Sequence, residues 1–379
     1  MKKTRVHSYA IRRQSIVDDR ERAINGKLNC LPLPFKRMAK LFPGFRQYMY
    51  AILTANQKVG KTKLADYLFV HYPVIARLQG IIDIKTHVLY FSLEDPTSDK
   101  EDSFYSNLLW AIDKISVDSN KLHSVGTILN QSVVDKLDSE TYQKYISEYE
   151  KTVEYISDEM NPTGIYKYCK NYASQHGHNN YVEGKQYDEV TNTYIDGKVI
   201  NKTNPFTWDD PEQYNIIIID NFATLTSERG WTQKETINKM SKYCVELAKM
   251  GFVVIGVQHQ AQAQESILNQ QLNKVEPSID GLGDDKTTAR DAHIVFGLFS
   301  PSRFSMPAYS GYDITVFKDS IRFLSIITAR KIRVDGVVKI PLLFKGDSSD
   351  FEELPLPTET EKLNKVINKV KQWQSMAAD

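Results

Sequence analysis

The chain is poor in cysteine, has no long apolar run and carries almost no net charge. Its three cysteines, Cys30, Cys169 and Cys244, are widely spaced and odd in number. They offer neither a disulfide framework nor a Cys-x-x-Cys metal site, which points to a reducing, intracellular setting. No apolar stretch is long enough to span a membrane. Met1-Lys2-Lys3-Thr4-Arg5 is basic, but no apolar segment follows it, so the pattern of a secretory signal is missing. A formal net charge of +1 excludes a polybasic coat for nucleic acid; any such surface must be local or assembled from several subunits. What is present is ordinary: 41% hydrophobic and 25% charged residues, in a 379-residue chain long enough for one large domain or two small ones.

The most informative segment is Ala55-Asn56-Gln57-Lys58-Val59-Gly60-Lys61-Thr62. It follows the apolar run Tyr50–Leu53 and opens the helical stretch Leu64–Phe69. Strand, tight loop ending in Gly-Lys-Thr, then helix is the setting of a nucleotide-phosphate loop. Backbone N–H groups at the helix start would surround phosphates, and the helix dipole favours their charge. Lys61 would reach the β- and γ-phosphates of ATP, and the Thr62 hydroxyl would ligate Mg²⁺. The first glycine of the usual pattern is replaced by Ala55, whose methyl would crowd the turn. The alternative is an ordinary strand-to-helix turn that contains Gly-Lys-Thr.

Residues 1–26 read as a basic arm, with a short helix over Tyr9–Ile24. Residues 27–356 read as an ATPase core, and residues 357–379 as an amphipathic helix with Leu363, Val366, Ile367, Val370 and Trp373 on one stripe. Buried strands are expected near Tyr48–Thr54, Val88–Leu93, Ile216–Ile219, Phe252–Val257, Ala292–Phe299, Phe323–Thr328 and Val338–Phe344. Helices are expected over Ser103–Ile115, most of 134–178, and Gln233–Lys249. Strands alternating with helices imply an α/β fold, a mostly parallel sheet covered on both faces. Residues 179–213 are polar and rich in Asn and Tyr. Asp196-Gly197 predicts the turn of an inserted β-hairpin, on a core the insertion does not define.

Four chemical elements occur in order: the phosphate loop, Glu94, Asp220 and His259, the last three each at the end of an apolar strand. In an open parallel sheet the carboxyl ends of strands carry the ligand site, so all four would converge. Asp220 would hold Mg²⁺ through a water, Glu94 would orient and deprotonate the attacking water, and His259 would sense the γ-phosphate. Each has a plainer alternative: a strand-end carboxylate, an acidic loop with Asp95, and a polar strand terminus.

On these residues the chain resembles the motor domain of DnaB-type replicative helicases, within the RecA-like ATPases. Val88–Glu94, Ile217–Asp220, Val254–His259 and Ala289–Val295 each resemble a family segment in the family's order, over roughly residues 26–178 and 214–352. The resemblance implies a RecA-like P-loop fold, ATP and Mg²⁺ as cofactors, and a ring of subunits, six by family habit. It also implies single-stranded DNA as partner and a helicase loader or primase as a further one. Ala329–Gly336 resembles the segment that offers Lys331 and Arg333 to the ATP of a neighbouring subunit. Alternate strand residues share a face, so both would reach one phosphate; an exposed basic edge strand is the competing account.

Three departures accompany the resemblance. Only residues 1–26 precede the core, too few for the family's primase-contacting domain, which would suit a phage or mobile-element system. The arm would pack on a neighbouring subunit or touch nucleic acid. The DNA-contacting loop lacks its usual Arg. In Gly281–Arg290, Lys286, Thr287 and Arg290 are the nucleic-acid candidates, opposed by Asp284 and Asp285. The insertion at 179–213 has no counterpart. Two rival functions stay open: a recombinase or single-strand mediator, and a regulatory ATPase of the same fold that does not unwind DNA.

Overall fold

The computed structural model describes residues 5–158, 160–188, 192–201, 205–330 and 338–376. Its centre is a nine-stranded sheet built from β1 (Met49–Ala55), β2 (Lys85–Ser92), β3 (Val153–Ile156), β4 (Gln213–Asp220), β5 (Val253–His259), β6 (Ile294–Phe299), β7 (Ile321–Ala329), β8 (Lys339–Lys345) and β9 (Asp350–Glu353). The spatial order is β9-β8-β7-β6-β1-β5-β4-β2-β3. β6, β1, β5, β4, β2 and β3 run parallel. β7, β8 and β9 are added antiparallel at one side. The expected mostly parallel α/β sheet is therefore present.

The period of two along a strand sorts side chains onto two faces. Ile216 and Ile218 of β4 join Val88, Tyr90, Val253 and Ile255 on one face, with Leu64 and Phe69 of the helix after the phosphate loop. Ile217 and Ile219 join Leu89, Phe91 and Val254 on the other, with Met240 and Leu247. Both faces are covered, so the strands read as continuous apolar runs.

The helices pack as sequence patterning dictates, with some shifts. α1 spans Arg5–Ile24 and is longer than expected. α2 starts at Lys61 and runs through a π turn at Tyr67–His71 to Leu78. Pro73 has no N–H to donate, and a widened turn just before it relieves the clash its ring would cause. α3 (Thr97–Asp113) begins directly after Pro96, six residues ahead of the expected start. The expected helix over 134–178 is interrupted. Between α4 (Glu140–Thr152) and α5 (Pro162–Gln175), Val153–Ile156 forms the edge strand β3. α6 (Gln233–Lys249) begins where expected because Thr232 and Glu235 form a reciprocal capping box. α7 (Lys286–Asp291) precedes β6. α8 (Thr360–Met376) buries Val370 in one apolar cluster of this chain with Ile314, Phe317, Ile321, Phe323 and Leu343, and Trp373 meets Trp110 edge-on at 5.4 Å.

The insertion differs in two ways. Tyr181–Asp188 pairs antiparallel with Thr193–Ile200, with Gly184 opposite Gly197 and Lys185 opposite Asp196. Asp196-Gly197 thus lies within a strand and does not form the expected turn. The glycine spares a clash: a Cβ on Gly184 would lie 2.6 Å from Val199 Cγ2. The base of the insertion is also core. Gly177–Asn179 pairs with Phe206–Trp208, and Trp208 packs edge-on against Phe252 at 4.9 Å. Gly251, at φ +101°, leaves the space Trp208 fills, since a Cβ there would lie 2.5 Å from Trp208 Nε1.

Candidate active site

The carboxyl ends of β1, β2, β4 and β5 bring the phosphate loop, Glu94, Asp220 and His259 to one edge of the sheet. Lys58, Gly60, Lys61, Thr62, Glu94 and His259 share one cavity of about 420 Å³, and Asp220 is buried beside it. The loop follows β1, where Ala55 is fully buried and its carbonyl accepts the Gln260 N–H at 3.0 Å. Ala55 does not take a positive φ, so this turn needs no glycine there. The left-handed positions are Lys58 (φ 57°) and Gly60 (φ 94°). A Cβ on Gly60 would sit 3.3 Å from the Phe344 ring.

Arg322 supports the loop from below. Its Nε donates to the Val59 carbonyl at 2.7 Å, and its guanidinium lies 4.6 Å over the Phe344 ring. It is 1% exposed, with Asp319 at 2.9 Å as its carboxylate partner.

The catalytic candidates form a chain of contacts. Lys61 Nζ lies 2.9 Å from His259 Nδ1. Burial, then the Lys61 ammonium, lowers the His259 pKa, so the neutral ring accepts from lysine. The other ring nitrogen, Nε2, lies 3.9 Å from Glu94 Oε2 and 3.2 Å from Asn221 Nδ2. Asn221 Nδ2 donates to Glu94 Oε2, while Asn221 Oδ1 accepts the Ala223 N–H at 2.8 Å. Burial pushes Lys61 down to about 8, against the pull of Asp220 and Glu94.

Asp220 is 3% exposed. Its Oδ2 accepts from the Tyr90 hydroxyl at 3.0 Å and lies 3.4 Å from the Lys100 ammonium. Its Oδ1 is buried with no hydrogen-bond partner. An orphaned carboxylate oxygen whose charge is felt by Lys61 of the phosphate loop fits a hydrated Mg²⁺ carried with a nucleotide. Asn56, buried in the loop, has an unpartnered Nδ2–H, a donor that fits a phosphate oxygen. Lys100 also reaches Tyr90 at 2.9 Å and Asp66 at 3.4 Å. Burial disfavours its charge, but Asp66, Asp220 and Asp95 outweigh burial and hold it protonated above the usual lysine value.

Sequence reasoning missed Asn221, Lys100, Tyr90 and Arg322. One signal was available: Asp66 is an acid within the apolar helical run Leu64–Phe69, and a buried acid there needs a buried cation.

The nucleic-acid candidates lie on and beside α7. Lys286 pairs with Asp280 at 2.8 Å, and Arg290 bonds the Thr287 hydroxyl at 3.3 Å. Thr288, between them, is buried and donates to Gln258 Oε1 at 2.7 Å. Gln260 reaches Thr54 at 3.0 Å and the Ser278 carbonyl at 3.1 Å, and Gly281 O accepts the Ala261 N–H at 2.7 Å. The loop before α7 is therefore clipped to the strand end that carries His259. Lys331 and Arg333 lie outside the described residues. Among the described residues no helix is long and apolar enough to cross a membrane.

No family model matches the chain, and no curated protein matches it in sequence. Solved structures do resemble it. One, an ATPase domain, aligns with a TM-score of 0.60 and 14% identity, over 91% of this chain and 98% of that one. A DnaB-like replicative helicase, solved for its interactions with primase, gives 0.62 and 13%, over 94% and 68%. The shared property is the fold: this chain has the RecA-like architecture of DnaB-type helicase ATPase domains.

Proposed function

We propose that the chain is an ATP-hydrolysing motor of the DnaB helicase type, which moves along single-stranded DNA as a ring with ATP at subunit interfaces. One observation carries the proposal. His259 faces Lys61 at the phosphate loop, while its neighbours Gln258 and Gln260 hold the loop and helix spanning Ser278–Thr288. A change at the γ-phosphate would reach that loop through one strand end.

The residues divide the work. Lys61 and the loop N–H groups bind phosphates, and Arg322 keeps the loop in register. Glu94, held by Asn221, takes the proton of the attacking water. Thr62 and Asp220 would hold Mg²⁺, which, bound with ATP, draws charge from the β- and γ-phosphates. Lys331 and Arg333 are the candidates for cations supplied across the interface, which would make hydrolysis depend on assembly. A loader or primase is the partner class that fits such a motor in replication.

The test is ATP hydrolysis with and without single-stranded DNA. Stimulation by DNA, abolished by Lys61→Ala, supports the motor. Hydrolysis indifferent to DNA favours a regulatory ATPase, which the neutralisation of Lys286 by Asp280 also suits.

A further inference from the structure

A groove runs along the edge of the sheet opposite the phosphate loop. It has two connected parts, of about 1030 Å³ and about 210 Å³, which share His293 and Arg330. One wall belongs to the inserted hairpin, through Tyr181 and Lys198. The floor belongs to the core, through Tyr48, Lys249 and Arg330, and the far end reaches Arg290 beside the candidate DNA loop.

Four cations, Arg290, Arg330, Lys198 and Lys249, are exposed along it. Among the described residues, none of the four makes an ion pair. The one carboxylate in the lining, Asp291, accepts from the Ser241 hydroxyl at 2.8 Å; Glu183 stands across the hairpin from Lys198. Two tyrosines in the same lining are partly open to solvent: Tyr48 is 44% and Tyr181 56% exposed. Tyr48 holds a left-handed backbone (φ 67°), rare for a bulky residue and concentrated where function demands it.

Spaced cations with exposed aromatic faces make a track for single-stranded nucleic acid: phosphates meet the cations and unpaired bases stack on the rings. A duplex hides its base faces and would not use the tyrosines. Resting on the proposed motor function, we infer that the strand leaving the loop near Arg290 runs across Arg330 and is gripped by the hairpin insertion. The insertion is thereby a single-strand contact that lengthens the site on each subunit.

The experiment is fluorescence anisotropy of a labelled oligothymidylate against the full chain over a salt series. Lys198→Ala/Lys249→Ala is expected to weaken binding about tenfold and to flatten the log–log salt slope by about one to two. Tyr181→Ala is expected to weaken binding about fivefold or more with an unchanged slope. Hydrolysis of ATP without DNA should stay at the wild-type rate in both. Wild-type binding in both variants overturns the inference and leaves the groove to an acidic protein segment. A wild-type chain that binds no oligonucleotide overturns it together with the DNA part of the proposed function.

Discussion

The Lys61 ammonium and His259 Nδ1 are 2.9 Å apart, so the phosphate-gripping lysine and the strand-end histidine form one hydrogen-bonded pair. The pair sets a pH signature. Burial pushes Lys61 down to about 8, and bound phosphates favour its charged form. Below that value the cation is already present. Above it, ATP must bring a proton with it, and affinity should fall by up to about tenfold per pH unit. Calorimetric titrations in buffers of different ionisation enthalpy should find about one proton taken up near pH 9 and none from this group near pH 7. Equal heats in all buffers at pH 9 would contradict the assignment.

Glu94 and Asn221 should separate chemistry from binding. Glu94→Gln removes the proton acceptor and should lower kcat by about 10²–10⁴-fold with nucleotide affinity retained. Asn221→Ala leaves the carboxylate but frees it to wander, and should lower kcat by about tenfold. Steady-state hydrolysis with fluorescent-nucleotide binding checks both. A wild-type kcat for Asn221→Ala would remove it from the account.

The Asp66–Lys100–Asp220 cluster should behave as a buried ion network. Lys100→Met strands two buried carboxylates and should cost about 3–5 kcal/mol. Asp66→Leu/Lys100→Leu removes the pair together, leaves Asp220 with Tyr90, and should recover most of that loss. Urea unfolding measures the difference; equal destabilisation of single and double variants would argue against a coupled network.

Arg322 should matter to the phosphate loop through shape as well as charge. Arg322→Leu loses the bond to the Val59 carbonyl and should weaken ATP binding at least about tenfold. Arg322→Lys keeps the charge but not the planar group stacked on Phe344, and should not restore it. Equilibrium nucleotide binding reads out both variants.

The parallel core was legible because both faces of its strands are buried, so their apolar runs stand out against polar helices. The strand ends were legible for the same reason: Glu94, Asp220 and His259 each interrupt such a run. β3 was hidden because four residues between two helices carry no period of their own. The hairpin turn was misplaced because Asp-Gly marks a turn only where the chain must reverse. Here Gly197 lies within the strand opposite Gly184, where a side chain would crowd Val199. Lys100, Asn221 and Arg322 act through partners distant in sequence, and no local pattern encodes such pairings.

Strand separation of a forked DNA duplex, with Lys61→Ala as control, tests the motor most directly. The account predicts ATP-dependent separation by the wild-type chain and none by the variant. Hydrolysis that Lys61→Ala abolishes, accompanied by no movement on DNA and no separation, would contradict it.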